Sequence, residues 1–116
     1  MDRYNWSTVP VEQMNPKTTR QVIHTETMSI SQIGVLRGYV VPVHHHVNEQ
    51  VTMVNTGRVR FFIDGKPAEM GPGDVIRVPG NAPHYLEALE DSTLTELFSP
   101  RREDWILGDD AYLRKG

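Results

Sequence analysis

Three consecutive histidines, His44-His45-His46, followed by Gln50 and much later by His84, are the residues of this chain best suited to chemistry. Side chains alternate faces along an extended strand, so His44 and His46 point one way and His45 the other. Two imidazoles on one face, joined by a third from a distant segment, describe a metal site rather than a charged surface. Cysteine is absent, which removes disulfides and thiolate ligands and leaves histidine, carboxylate and amide donors. The ordinary alternative is a solvated strand or an affinity tag, but tags sit at chain ends and contain more histidines.

The elements that must position these residues are mostly strands. Short runs of β-branched and aromatic residues alternate with Gly, Pro, Asn and Asp. Strands are expected over Met28 to Leu36, from Val40 into the histidines, and over Gln50 to Asn55, Arg58 to Ile63, Val75 to Val78, His84 to Ala88 and Ser92 to Phe98. Asp64-Gly65 supplies a hairpin turn that requires positive φ, and Gly71-Pro72-Gly73-Asp74 a second tight turn. Helix is expected near Arg102 to Leu107 and around Val11 to Asn15. The first twenty-odd residues read as an irregular arm with one strand near Arg20 to His24. This spacing predicts an all-β sandwich or barrel.

The chain has 116 residues, enough for one domain over 1–116, with its core at about 28–100, the arm at 1–27 and a tail at 101–116. A hydrophobic fraction of 38% and a charged fraction of 23% are those of a soluble globular protein. Net charge is only −3 and no Lys/Arg run is present, so nucleic-acid binding has no electrostatic support. No apolar run approaches the ~20 residues that span a bilayer. The polar start Met1-Asp2-Arg3-Tyr4-Asn5 is not that of a signal peptide, so no membrane association and a cytoplasmic location are expected.

Two motifs carry a family resemblance. Gly38-x5-His44-x-His46-x3-Gln50-x6-Gly57 resembles the first cupin motif, and Gly73-x5-Pro79-x4-His84 resembles the second. The resemblance implies a cupin jelly roll, a small antiparallel barrel whose interior takes side chains or one small ligand. It also implies a single divalent transition metal per chain (Zn, Ni, Fe, Co or Mn), held by His44, His46, His84 and a fourth ligand. Gln50 stands where the family usually has a carboxylate. Glu49 lies one residue short and on the opposite face, which makes it a rim residue. Asn81 replaces the second motif's usual glycine, and Ala88 its frequent asparagine. Such a neutral donor set suits a Lewis acid better than the two-His-one-carboxylate iron site of oxygen chemistry. His24 lies outside both motifs and is expected to be satisfied locally; Tyr39, Tyr85 and Arg60 are candidates to line or flank the pocket that strand parity alone does not place.

A second cluster follows the last expected strand. By alternation Leu94, Glu96 and Phe98 share a face. If that face is inward, Glu96 is an acid near the metal and Phe98 a ring bounding the pocket. Arg102 would then return over the barrel mouth and hold a substrate carboxylate through two parallel hydrogen bonds. The alternatives are that Glu96 bonds a ligating histidine and that Arg102 pairs with Glu103, Asp104 or a partner subunit.

His46-Val47-Asn48-Glu49-Gln50, together with Phe98-Ser99-Pro100-Arg101-Arg102-Glu103-Asp104, resembles the pectin-degradation cupins of the KdgF type. That resemblance implies conversion of cyclic 4,5-unsaturated uronates into linear ketouronates. It assigns catalytic roles to Glu96 and Arg102 and substrate contacts to Phe98 and Arg102, with glutamate replacing the family's aspartate. The expectation is a metal-dependent enzyme acting on a small sugar acid, assembled as a homodimer. A mononuclear-metal dioxygenase and a non-catalytic cupin that binds a small ligand are the alternatives.

Overall fold

Alternating burial along short β-branched runs organises the chain into strands that form two facing sheets. The computed structural model describes residues 1–114. Its elements are a 3-10 turn at Trp6–Thr8, then β1 (Glu12–Asn15), β2 (Thr18–His24), β3 (Ser29–Val35), β4 (Val40–His44), β5 (Glu49–Thr56) and β6 (Val59–Ile63). They continue with β7 (Lys66–Met70), β8 (Val75–Val78), β9 (His84–Ala88), β10 (Ser92–Ser99), α1 (Glu103–Ile106) and α2 (Ala111–Arg114). One sheet runs β1-β2-β3-β10-β5-β8 and the other β4-β9-β6-β7, with antiparallel pairing throughout. The result is the all-β architecture that the strand spacing predicted, arranged as the jelly roll that the resemblance implied. No described helix is long and apolar enough to cross a membrane.

The turn chemistry explains the register. Asp64 and Gly65 both have positive φ, 50° and 77°, as the two-residue hairpin between β6 and β7 demands. Asn81, at φ 64°, occupies the left-handed region that short polar side chains tolerate, so it can stand where the motif has glycine.

Cross-strand register places the site within the barrel. On β10, Leu94 lies opposite Ile33 and Val54, Glu96 opposite Ser31 and Thr52, and Phe98 opposite Ser29 and Gln50. The inner face therefore changes over two residue steps from an apolar layer to a polar one. The apolar layers hold Ile33, Val35, Val54, Val59, Phe61, Leu86 and Leu94, all buried.

The N-terminal expectations need correction. Val11 to Asn15 is not helical: Glu12–Asn15 is a strand paired with Thr18–Arg20. The helix-compatible residues are overridden by tertiary contacts. Met14 and Asn15 are buried, Glu12 bonds Arg20, and Asn15 Oδ1 accepts the Lys17 N–H to make the turn. The irregular arm is thus a hairpin that extends the larger sheet. The short helix α1 lies within the expected Arg102 to Leu107, whereas α2 was not anticipated. Of the tail expected at 101–116, Lys115 and Gly116 lie outside the described residues.

Gly57 joins β5 to β6 with φ +86°, and a Cβ there would meet Ser92 Oγ at 2.2 Å and Asp91 O at 2.4 Å. Gly57→Ala should therefore combine left-handed strain with a backbone clash and cost about 2–4 kcal/mol. A urea midpoint unchanged from wild type would contradict this.

Candidate metal centre

The three histidines reach the barrel interior from two neighbouring strands and the loop after one of them. His44 ends β4 and lies opposite His84, the first residue of β9. His46 lies beyond the strand end, in the loop before β5. Asn81 N–H donates to His46 O at 2.7 Å, tying that loop to the segment before β9. Gly80 permits the close approach, since a Cβ on it would meet Val47 O at 2.6 Å. One ring nitrogen of each histidine lies within 4.8 Å of the others, a group able to hold a metal ion.

Each ring is oriented by the backbone. Nδ1 of His44 donates to Pro42 O at 2.7 Å, that of His46 to Asn48 O at 3.0 Å, and that of His84 to Ala82 O at 2.8 Å. A carbonyl only accepts, so all three Nδ1 atoms carry the proton and all three Nε2 atoms present a lone pair. Burial, reinforced by neighbouring His84, pulls His44 down to about 3. Burial and then Arg102 bring His46 to about 4, and burial lowers His84 against the opposing Ala82 carbonyl bond. The rings are thus held neutral, as ligation requires.

The amide of Gln50 is oriented just as firmly. Its Nε2 donates to Glu96 Oε2 at 2.8 Å and to Thr52 Oγ1 at 2.9 Å, while Thr52 Oγ1 donates to Glu96 Oε2 at 2.9 Å. Both amide protons are used, and Gln50 Oε1 is left 3.1 Å from His46 Nε2. With the His46 proton on Nδ1, that contact brings together two lone-pair atoms. The buried Nε2 of His84 likewise has no hydrogen-bond partner. A cation between these atoms satisfies them all, so the residues present fit a divalent metal with His44, His46, His84 and Gln50 as donors.

Glu96, Phe98 and Arg102 all line the cavity beside these donors. Burial pushes the Glu96 carboxyl up, against the Thr52 hydrogen bond and the Arg102 charge. Arg102 is 1% exposed, and a buried guanidinium needs a counter-charge. Asp104 provides it, accepting from Nε at 2.9 Å and from Nη2 at 2.8 Å. The two-toothed grip expected for a substrate carboxylate is therefore occupied by Asp104. The guanidinium also lies 4.7 Å from the Phe98 ring centroid and 4.1 Å from that of Trp105.

The other sequence-nominated residues lie elsewhere. His45 is exposed, and Glu49 pairs outside the barrel with Arg77 at 2.6 Å. His24 is satisfied locally by Ser29 Oγ. Arg60 faces Glu69 and Glu87 on the outer surface, while Tyr39 is buried and receives a bond from Asn15. Tyr85 is among the residues bordering the cavity.

Two participants, Thr52 and Tyr112, were missed, and a third, Asp104, entered only as an alternative partner for Arg102. Thr52 could have been found from its parity with Gln50 on β5. Tyr112 carried no sequence signal; its ring stacks on His44 at 4.5 Å and 28°. Together with Leu113 it lines the cavity, whose volume of about 50 Å³ has room for a cation and a few waters.

Relatives share this architecture. Residues 34–99 match the cupin domain family, and the chain belongs to it. A solved structure of KdgF from Halomonas sp. is 30% identical and covers 83% of this chain and 90% of its own, with a TM-score of 0.78. An RmlC-like cupin from Shewanella frigidimarina is 25% identical over 88% of this chain and 93% of its own, with a TM-score of 0.83. The acireductone dioxygenase of Bacillus thuringiensis subsp. konkukian is 40% identical over 69 residues, covering 54% of this chain and 41% of that enzyme. The chain thus spans about two fifths of the length of the curated relatives it matches.

One divalent transition metal per chain should survive gel filtration, and His84→Ala should lose it. Saturating metal at a hundred times Kd should stabilise the fold by about 2.7 kcal/mol, a Tm rise on the order of 10 °C. Equal metal content in wild type and variant would remove His84 from the site.

Proposed function

We propose that this cupin is a metal-dependent enzyme that opens the ring of 4,5-unsaturated uronates to give linear ketouronates. The observation that carries the reading is Glu96. One carboxylate oxygen is anchored by Gln50 and Thr52, while Oε1 has no partner among the described residues and belongs to a side chain lining the cavity. A fixed carboxylate with one free oxygen, raised toward neutrality by its burial, suits proton transfer at ordinary pH. Structural likeness to KdgF from Halomonas sp. supports the same substrate class.

A divalent ion held by His44, His46, His84 and Gln50 would supply Lewis-acid polarisation of substrate oxygens. Glu96 Oε1 would take the proton of the anomeric hydroxyl. As the C1 carbonyl forms, the bond from C1 to the ring oxygen breaks, leaving an enolate across C4, C5 and that oxygen. Return of the same proton to C4 yields the ketone, so the reaction is an isomerisation with no co-reactant. Phe98 bounds the reacting face, and Arg102, neutralised in part by Asp104, supplies positive potential through Nη1.

The second reading, a mononuclear-metal dioxygenase, is favoured by the identity with Bacillus acireductone dioxygenase over 69 residues. Oxygen uptake by the iron-loaded protein distinguishes it.

Metal-loaded protein should abolish the ultraviolet absorbance of unsaturated mono-uronates faster than the spontaneous reaction. Glu96→Gln should slow that turnover by about 10²–10⁴-fold while keeping its metal. No rate above background with pectin- and alginate-derived substrates alike would reject ring opening. We also infer a homodimer, because β4 is a sheet edge carrying exposed Val40 and Val43. A monomer mass by light scattering at micromolar concentration would overturn that.

A further inference from the structure

Tyr112 lines the cavity and carries a hydroxyl proton that the arrangement above leaves unused. It comes from α2, outside the segment shared with the cupin family. A phenol oxygen has two acceptor positions and one proton to give. Arg102 Nη2 donates to it at 3.0 Å and Trp105 Nε1 at 3.3 Å. Both partners are nitrogen donors with no lone pair to offer, so they occupy the acceptor positions and cannot receive the proton. No described residue accepts it either.

The ring position is fixed independently of the hydroxyl. It stacks on His44, and the Asp110 carboxylate at the start of α2 is buried against Arg20 at 2.9 Å and Arg114 at 2.8 Å. Asn15 Nδ2 donates to Leu113 O at 2.7 Å, tying the helix to β1. The hydroxyl therefore sits at a defined place beside a proposed metal ligand. A phenol that accepts from a guanidinium is polarised into a stronger donor, and the positive charge behind it favours an anionic oxygen in front.

We propose that Tyr112 is the hydrogen-bond donor that holds a carboxylate or enolate oxygen of a small oxyanion against the histidine group. This rests on the metal-centred site proposed above but not on the uronate. In ring opening, the donor would meet an oxygen of the substrate.

Oxalate is a suitable probe, because it is a small, planar pair of carboxylates with no other functional group. Zinc-loaded wild type and Tyr112→Phe are titrated by calorimetry, with metal content and Tm measured on both. Loss of one hydrogen bond to a charged group should weaken oxalate binding about ten- to hundred-fold. Metal content should stay at the wild-type value because the ring and its stacking remain, while Tm should fall by several degrees as Arg102 Nη2 and Trp105 Nε1 lose their acceptor. Equal oxalate affinity in the two proteins overturns the proposal, as does a lowered Tm with unchanged oxalate affinity, which marks a purely structural ring. Wild type that binds no oxalate at millimolar concentration overturns it too. A second measurement needs no variant: oxalate should perturb the tyrosine ultraviolet band of the zinc-loaded wild type, and an unchanged band counts against the donor. Oxalate binding without uronate turnover rejects ring opening and leaves Tyr112 as the donor.

Discussion

The buried carboxylate of Glu96 is the constraint on which the site depends. An amide is nearly symmetric in shape, and nothing in the histidine group alone decides which end of Gln50 faces it. Glu96 decides, because a carboxylate beside the amide draws the Nε2 end, and Thr52 completes the choice. The oxygen is thereby left toward His46. This requires Glu96, Thr52 and Gln50 to share one inner face, which follows from the pairing of β10 with β5. A slip of one residue would turn all three to the outside and present Thr95 and Met53 instead.

A second device holds the C-terminal segment over the barrel. Trp105 lies between two guanidinium groups, with Arg20 at 4.5 Å and Arg102 at 4.1 Å from its ring centroid. Like charges would not ordinarily gather around one indole. Here each arginine has its own carboxylate, Asp110 for Arg20 and Asp104 for Arg102, and the ring face offers further attraction to both. Burial and the arginines act in opposite directions on Asp110: enclosure raises its carboxyl, while Arg114 and Arg20 outweigh this and hold it below the usual range. Arg102 is consequently committed to the fold as well as to the cavity. That double use explains why its fork faces Asp104 rather than the open space.

Much of the frame was legible in the sequence, for identifiable reasons. Strands with one buried face announce themselves by period-two alternation, as Val59, Phe61 and Ile63 do against Arg58, Arg60 and Phe62. Asp64-Gly65 fixed its turn because few other pairs accept two positive φ values. The histidine parity also emerged, although His46 lies past the strand end and owes its place to the Asn81 contact rather than to alternation. What was illegible depended on partners far along the chain. Val11 to Asn15 has no strand pattern strong enough to outweigh its helical residues, and only pairing with β2 makes it a strand. The four residues of α2 are too few for a periodic signal. Tyr112 therefore reached the site without notice, carried by the distant bonds of Asp110 and Asn15.

The geometry also changes the meaning of a glutamine in the ligand set. Read as a list, three imidazoles and an amide leave a cation's charge without protein compensation. In the structure the compensating charge stands one hydrogen bond further out. Glu96 polarises the Gln50 amide, which places extra negative character on the carbonyl oxygen facing the histidines. Moving the carboxylate outward keeps its second oxygen free for the cavity, which a directly coordinated glutamate could not do as well. On the proposed reading Gln50 and Glu96 would divide between them what one ligating carboxylate does elsewhere: the amide would bind, and the acid would both tune it and remain available for protons. On this account the neutral ligand and the glutamate on β10 are one feature, and the chemistry at the site follows from their separation by a single hydrogen bond.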